Sequence, residues 1–197
     1  MPRVLRLADH WVWDSWIADD GDRYHLFFLK APRALGDWRL RHAAAAIGHA
    51  TSTDLASWEV HEDALGPARE SWGDLAVWTG STVRGDDGVW RMYYTGLSTI
   101  PGHGIRDQRI GLAESDDLFG WMRVGEVPLV DPDPFWYRTL DEDPAASETW
   151  RDPFVFRDPV GDGWHMLITA RAPGAPRFDD GVPVELRNGV LVRAGSA

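Results

Sequence analysis

The stretch I-G-H-A-T-S-T-D-L-A-S-W (Ile47–Trp58) returns as I-G-L-A-E-S-D-D-L-F-G-W (Ile110–Trp121). The two match without a gap in Ile, Gly, Ala, Ser, Asp, Leu and Trp, at an offset of 63 residues (110 minus 47). A period of this length marks stacked units, each too small to bury its apolar face alone. Upstream of each copy runs an alternating aromatic segment, D-R-Y-H-L-F-F (Asp22–Phe28) and G-V-W-R-M-Y-Y (Gly88–Tyr94), and a third such run is G-W-H-M-L-I-T (Gly163–Thr169). Each run follows an Asp/Gly turn: A-D-D-G-D, R-G-D-D-G or P-V-G-D-G. Short strands rich in Val, Ile, Tyr, Trp and Phe on either side of such turns read as β-hairpins. The unit is strand, hairpin, strand, loop, strand, turn, strand, which is one four-stranded antiparallel blade of a β-propeller. No window carries an apolar stripe at helical spacing, so the fold class is all-β.

The repeat places blade 1 at about residues 11–62, blade 2 at about 76–128 and blade 3 at about 150–181. The third copy breaks off. Where the repeat requires another h-G-x-A-x-S-x-D-L-x-x-W, near residues 182–195, stands P-V-E-L-R-N-G-V-L-V-R-A-G-S-A (Pro183–Ala197), so blade 3 reads as incomplete and 182–197 as a divergent tail. The chain of 197 residues holds about 3.1 units of 63, fewer than the four to eight blades that close a propeller. A truncated propeller with an open edge is the expectation.

Composition narrows the function. Lys+Arg 20 against Asp+Glu 31 gives a net charge of -11, which repels nucleic acid and anionic membrane surfaces unless a basic patch is hidden locally. No cysteine is present, which excludes a disulfide scaffold. No segment has the apolar length of a membrane span, and Met1–His10 has no apolar core of a signal peptide, so a cytoplasmic location is expected.

Counting back ten residues from Tyr24 reaches Asp14, ten from Trp90 reaches Gly80, and twelve from Trp164 reaches Asp152. Trp13-Asp14, Thr79-Gly80 and Arg151-Asp152 are therefore expected at one position in three blades. The first strand of a blade lines the central channel, so Asp14 and Asp152 would face one cavity, flanked by Trp13, Trp78 and Arg151. A carboxylate pair among aromatic rings suits glycosidic bond cleavage, whose oxocarbenium-like transition state a carboxylate stabilises or attacks. Taken singly, Asp14 also reads as a turn cap and Asp152 as the partner of Arg151.

W-V-W-D-S-W (Trp11–Trp16), W-T-G-S (Trp78–Ser81) and W-R-D-P (Trp150–Pro153), in this order and spacing, resemble glycoside hydrolase families 32 and 68, five-bladed propellers acting on fructosides. Family 43, acting on arabinans and xylans, is similar in blade pattern. The resemblance implies that Asp14 is the nucleophile of a covalent fructosyl-enzyme and Asp152 the stabiliser that holds fructose hydroxyls. It also implies that Trp13, Trp78, Thr79 and Arg151 line the sugar subsite, with Thr79 where family 68 often has Ser. Its third catalytic member is a Glu acid in blade four. Glu185 lies in the divergent tail with no motif around it to support that role. A small-molecule or oligosaccharide substrate is implied and no cofactor, while the oligomeric state stays open. Two other readings remain: a non-catalytic carbohydrate- or protein-binding fragment, and an inverting family 43-like arabinosidase or xylosidase.

The S-x-D-L-x-x-W element reads as structural, with Asp54 and Asp117 capping turns and Trp58 and Trp121 packing between sheets. The Asp/Gly turns lack calcium-loop spacing and the seven His lack zinc spacing, so no metal is expected. His25 and His165, at one repeat position, are expected to point away from the packed side that holds Tyr24, Trp90 and Trp164. Gly102–Arg106 reads as a loop, and Asp131–Pro144, with Trp136 and Tyr137, as an inter-blade connection.

Overall fold

Alternating apolar residues between Asp/Gly turns leave each segment one stable arrangement, an antiparallel ladder with packed faces. A computed structural model describes residues 5–68, 72–100, 104–139, 149–173, 184–187 and 190–193. Three four-stranded sheets follow in chain order. The first holds β1 (His10–Asp19), β2 (Tyr24–Pro32), β3 (Ala46–Ser52) and β4 (Glu59–Val60). The second holds β5 (Ala76–Arg84), β6 (Trp90–Ile100), β7 (Gly104–Ser115) and β8 (Met122–Arg123). In the third, β9 (Trp150–Arg157) and β10 (Trp164–Ala170) are joined by β11 (Val184–Arg187) and β12 (Val190–Arg193). These last two strands come from the stretch where the repeat could not be traced, with Val184 opposite Ile168 and Glu185 opposite Leu167. Two 3-10 segments, Arg33–Leu35 and Trp38–Ala44, bridge β2 and β3.

The first strands lie side by side, β1 against β5 and β5 against β9, and form the inner wall shared by the sheets. One core fills the gap between sheets 1 and 2, with Phe27, Leu29, Ile47, Met92, Tyr94 and Leu118 buried. A second, around Trp150, Met166, Ile168 and Tyr137, lies between sheets 2 and 3. Tyr137 of the inter-blade connection is thus a core residue, whereas Trp136 is exposed. Of the expected loop Gly102–Arg106, Gly104–Arg106 belong to β7, and the remainder lies outside the described residues.

The repeated motif is a packing device. Asp54 accepts backbone N–H bonds from Ala56 and Ser57 at 2.8 and 2.7 Å, and Asp117 does the same for Phe119 and Gly120 at 2.8 and 3.0 Å. Those bonds hold the Asp54 carboxyl down to about 2. The leucine that follows is left-handed in both copies (Leu55 φ 58°, Leu118 φ 68°). The motif's glycine is needed because an aromatic ring lies across it. A Cβ on Gly48 would sit 2.5 Å from the Phe28 ring, and one on Gly111 would sit 2.4 Å from Tyr94 and 2.6 Å from Trp72.

Two further expectations change. His25 does not turn away from the packing: it is fully buried, while Tyr24 is only half-buried. Sheet 1 packs on sheet 2 through the face that carries His25, Phe27 and Leu29, and there Phe119 meets the His25 ring at 5.2 Å. Its Nε2 bonds Asp20 and its Nδ1 bonds His49, each at 3.0 Å, so its polar atoms are satisfied. The second change concerns register. Pairing places Trp13 opposite Leu29 and Ser15 opposite Phe28, leaving Asp14 as an extra, bulged residue. In sheet 2, Trp78 pairs Thr95 and Gly80 pairs Tyr94, so the bulged residue is Thr79. The equivalent of Asp14 is therefore Thr79 and not Gly80. The hairpin turns lengthen from residues 20–23 to 85–89 to 158–163, so a fixed count back from the aromatic run slips by one in blade 2.

Candidate active site

A β-bulge puts one unpaired residue on a strand and re-aims its side chain. All three inner strands bulge at corresponding places: β1 at Asp14, β5 at Thr79, and β9 between Arg151 and Phe154, where Asp152 lies. Asp14 and Asp152 also share left-handed backbone, with φ of 30° and 57°. Side chains rarely hold this conformation, which costs on the order of 1–3 kcal/mol and collects at functional sites.

Hydrogen bonds tie the bulges together. Thr79 Oγ1 donates to Asp14 Oδ2 at 2.9 Å. Thr95 accepts the Asp152 backbone N–H at 2.9 Å and donates to the Thr79 carbonyl at 3.2 Å. Arg151 Nε donates to Asp152 Oδ2 at 3.2 Å, while its Nη1 reaches the buried Gln108 side-chain oxygen at 3.4 Å. Thr169, across the bulge from Arg151, favours the ionised form of the Asp152 carboxyl. Burial raises the Asp152 carboxyl above its ordinary value against the opposing pull of Arg151, and the nearby charge of Asp14 adds to the rise. Asp14 is exposed and Asp152 half-buried, so the pair has one solvated and one partly desolvated member.

The 3-10 segment Trp38–Ala44 forms the side wall. It begins at Asp37, whose side chain accepts the Arg39 N–H, and it carries His42 between two indoles. The His42 ring meets Trp13 edge-on at 5.8 Å and Trp78 at 5.7 Å, and its carbonyl accepts Trp78 Nε1–H at 2.8 Å. Burial, then the charges of Arg41 and Arg151, hold the His42 pKa below 6.5, against the opposing field of Asp14.

All six residues expected at the site, Trp13, Asp14, Trp78, Thr79, Arg151 and Asp152, thus lie on the inner strands around one wall. Sequence reasoning missed His42, Thr95, Gln108 and Thr169. Thr95 and Thr169 were findable, because each follows its aromatic run at the same register, opposite Trp78 and Arg151. His42 had no signal, since the sequence of its segment, Trp38–Ala44, does not recur in the repeat. Among the described residues, no group of three His, Asp or Glu side chains is placed to hold a metal.

Comparison with known proteins places these features. Residues 16–177 match the model of the glycosyl hydrolases family 32 N-terminal domain; Asp152 lies within the match and Asp14 just before it. A sucrose-6-phosphate hydrolase of Escherichia coli is 32% identical over 157 residues, covering 78% of this chain and 28% of that protein. A 6(G)-fructosyltransferase of Asparagus officinalis is 36% identical over 136 residues, covering 60% of this chain and 21% of that protein. The chain spans about a quarter of the length of such relatives. In fold, it superposes on a Schwanniomyces occidentalis β-fructofuranosidase with TM-score 0.63 at 23% identity, covering 84% of this chain and 30% of that one. A B. megaterium levansucrase gives 0.61 at 18% identity, covering 84% and 42%.

Proposed function

The chain belongs to glycosyl hydrolase family 32, and on that premise we propose that it forms the carboxylate-bearing part of a glycoside hydrolase or transglycosidase acting on fructosides. The observation that carries this reading is the pair of left-handed aspartates, Asp14 and Asp152, bulged from inner strands and linked through Thr79 and Thr95. Asp14 is the nucleophile. Its carboxylate attacks the anomeric carbon, the bond to the leaving oxygen breaks, and a fructosyl ester forms that water or a second sugar hydroxyl then opens. The Thr79 hydroxyl holds one Asp14 oxygen and leaves the other for the attack. Asp152, positioned by Arg151 and Thr169, binds sugar hydroxyls and opposes the positive charge that develops on the ring. Trp13 and Trp78 offer their faces to the sugar.

Departure of an alkoxide needs a proton from a third group, a contribution of about 10²–10⁴ in rate. Fluoride departs without one. The 197-residue chain is therefore expected to release fructose from β-fructofuranosyl fluoride, and Asp14→Asn and Asp152→Asn to lose that activity. Equal turnover by wild type and Asp14→Asn overturns the assignment, as does a folded wild-type chain that neither turns over the fluoride nor binds fructose.

A further inference from the structure

The Arg151–Asp152 pair belongs to β9, yet two of its supports come from sheet 2. Thr95 of β6 is fully buried and uses its hydroxyl twice, accepting the Asp152 backbone N–H at 2.9 Å and donating to the Thr79 carbonyl at 3.2 Å. Gln108 of β7 is 3% exposed, and its Oε1 accepts Arg151 Nη1–H at 3.4 Å. Its chain neighbours carry charge but spend it elsewhere: Asp107 pairs with Arg109 at 2.7 Å, and Arg109 also reaches Asp131 at 2.8 Å. Successive side chains of a strand point to opposite faces, so in this stretch a neutral group meets the Arg151 guanidinium.

Neutrality has a consequence. A carboxamide oxygen satisfies one N–H of Arg151 and leaves its charge for Asp152, whose Oδ2 accepts Arg151 Nε–H at 3.2 Å. A carboxylate in the same place would compete for that charge. With Nε and Nη1 both tethered, the planar fork has a fixed direction. On the backbone side, Asp152 holds φ of 57°, a conformation that persists only where its surroundings impose it, and the Thr95 bond is one such constraint.

We propose that Thr95 and Gln108 are positioning residues, a neutral clamp by which sheet 2 fixes the backbone and the guanidinium of the Arg151–Asp152 pair on sheet 3. This rests on the fructoside-active reading above and adds that the stabilising carboxylate is aimed by the neighbouring blade. Thr95 extends the clamp towards Asp14, because the Thr79 it bonds holds that carboxylate.

The test is the titration of Asp152 in the full chain, followed by carbon NMR of aspartate-labelled protein, with fructosyl fluoride kinetics beside it. Gln108→Glu keeps the length and adds a charge, so two carboxylates besides Asp14 share one guanidinium, and the Asp152 midpoint should rise by at least about half a pH unit. Gln108→Met keeps the shape without the acceptor and should cut kcat/KM about three- to tenfold. Thr95→Val should lower kcat about tenfold with KM little changed, and Thr95→Ser should restore most of it. Ser81 is the matched control: it is buried and accepts the Val155 N–H at 2.9 Å across the same interface. Ser81→Ala should lower Tm while leaving kcat and the Asp152 midpoint as in wild type. If Thr95→Val behaves like Ser81→Ala, the clamp is merely structural and the proposal is overturned. An Asp152 midpoint unmoved in Gln108→Glu overturns it too, and decides alone if Thr95→Val does not fold. The midpoints are read without turnover, so a shifted midpoint in a chain that leaves the fluoride intact sinks the catalytic reading alone, whereas turnover with unmoved midpoints sinks this inference alone.

Discussion

Asp14→Gly is expected to leave the chain more stable than Asp14→Ala, the reverse of that pair's order in an ordinary strand. Asp14 is the extra residue of the β1 bulge, with φ of 30°. Left-handed backbone costs a residue with a Cβ about 1–2 kcal/mol, a cost glycine avoids. Against this stands the greater freedom glycine loses on folding, about 0.5–1 kcal/mol relative to alanine. Both variants lose the carboxylate and its 2.9 Å bond to Thr79, so those losses cancel in the comparison. The net expectation is about 1 kcal/mol in favour of glycine, or about 2–4 °C in Tm for a chain of this size. Thermal unfolding at pH 7 followed by tryptophan fluorescence measures it, and fructosyl fluoride turnover should be absent from both. If Asp14→Ala unfolds at the same temperature as Asp14→Gly or higher, the bulge stores no strain and the reasoning from backbone to function fails.

Other consequences follow from the same wall and its supports. Asp152 has a raised pKa, so its contribution to stability is full below the ordinary 3.8 and is lost as pH rises through the raised value. Asp152→Asn should therefore show a higher Tm than wild type at pH 7, by a margin that closes on acidification. Burial holds His49 down to about 3, so its stabilising share is full above 6.5 and drains away as pH falls from 6.5 towards 3; His49→Gln should flatten that acid limb in a pH series of Tm values. Thr79→Val removes the bond to Asp14 and should cut fluoride turnover roughly three- to tenfold, with Thr79→Ser retaining most of it. Gly80→Ala would bring a Cβ to 2.0 Å from the Tyr93 carbonyl oxygen, a backbone atom that cannot swing aside, and should cost about 1–3 kcal/mol in urea unfolding.

The propeller was legible because its repeat is enforced by packing. The Asp54 and Asp117 turns, the glycines under Phe28 and Tyr94, and the alternating aromatic runs all recur in sequence because each performs the same contact twice. The carboxylates were legible for a related reason, since Asp14 and Asp152 lie at one register of the inner strands. What a residue count could not see was the bulge. An extra residue changes which side chain turns inward, and the longer turn at residues 85–89 shifted the blade 2 equivalent from Gly80 to Thr79. His25 was misplaced because sheet 1 packs on sheet 2 through the face of His25 and Phe27 and not that of Tyr24, and alternation alone does not say which face is packed. The wall built by Arg41 and His42 had no repeat partner to reveal it, and β11 and β12 pair through backbone bonds that the blade motif does not specify.

Brief reaction of the chain with β-fructofuranosyl fluoride, an acid quench and peptide mass analysis bear most directly on the paired aspartates. One fructosyl group should appear on the peptide containing Asp14, be strongly reduced in Asp152→Asn because the transition state that forms it loses its stabilising charge, and be absent in Asp14→Asn. Release of fructose with no labelled Asp14 peptide, or a label on any other carboxylate, would contradict the assignment of Asp14 as nucleophile and Asp152 as its stabilising partner.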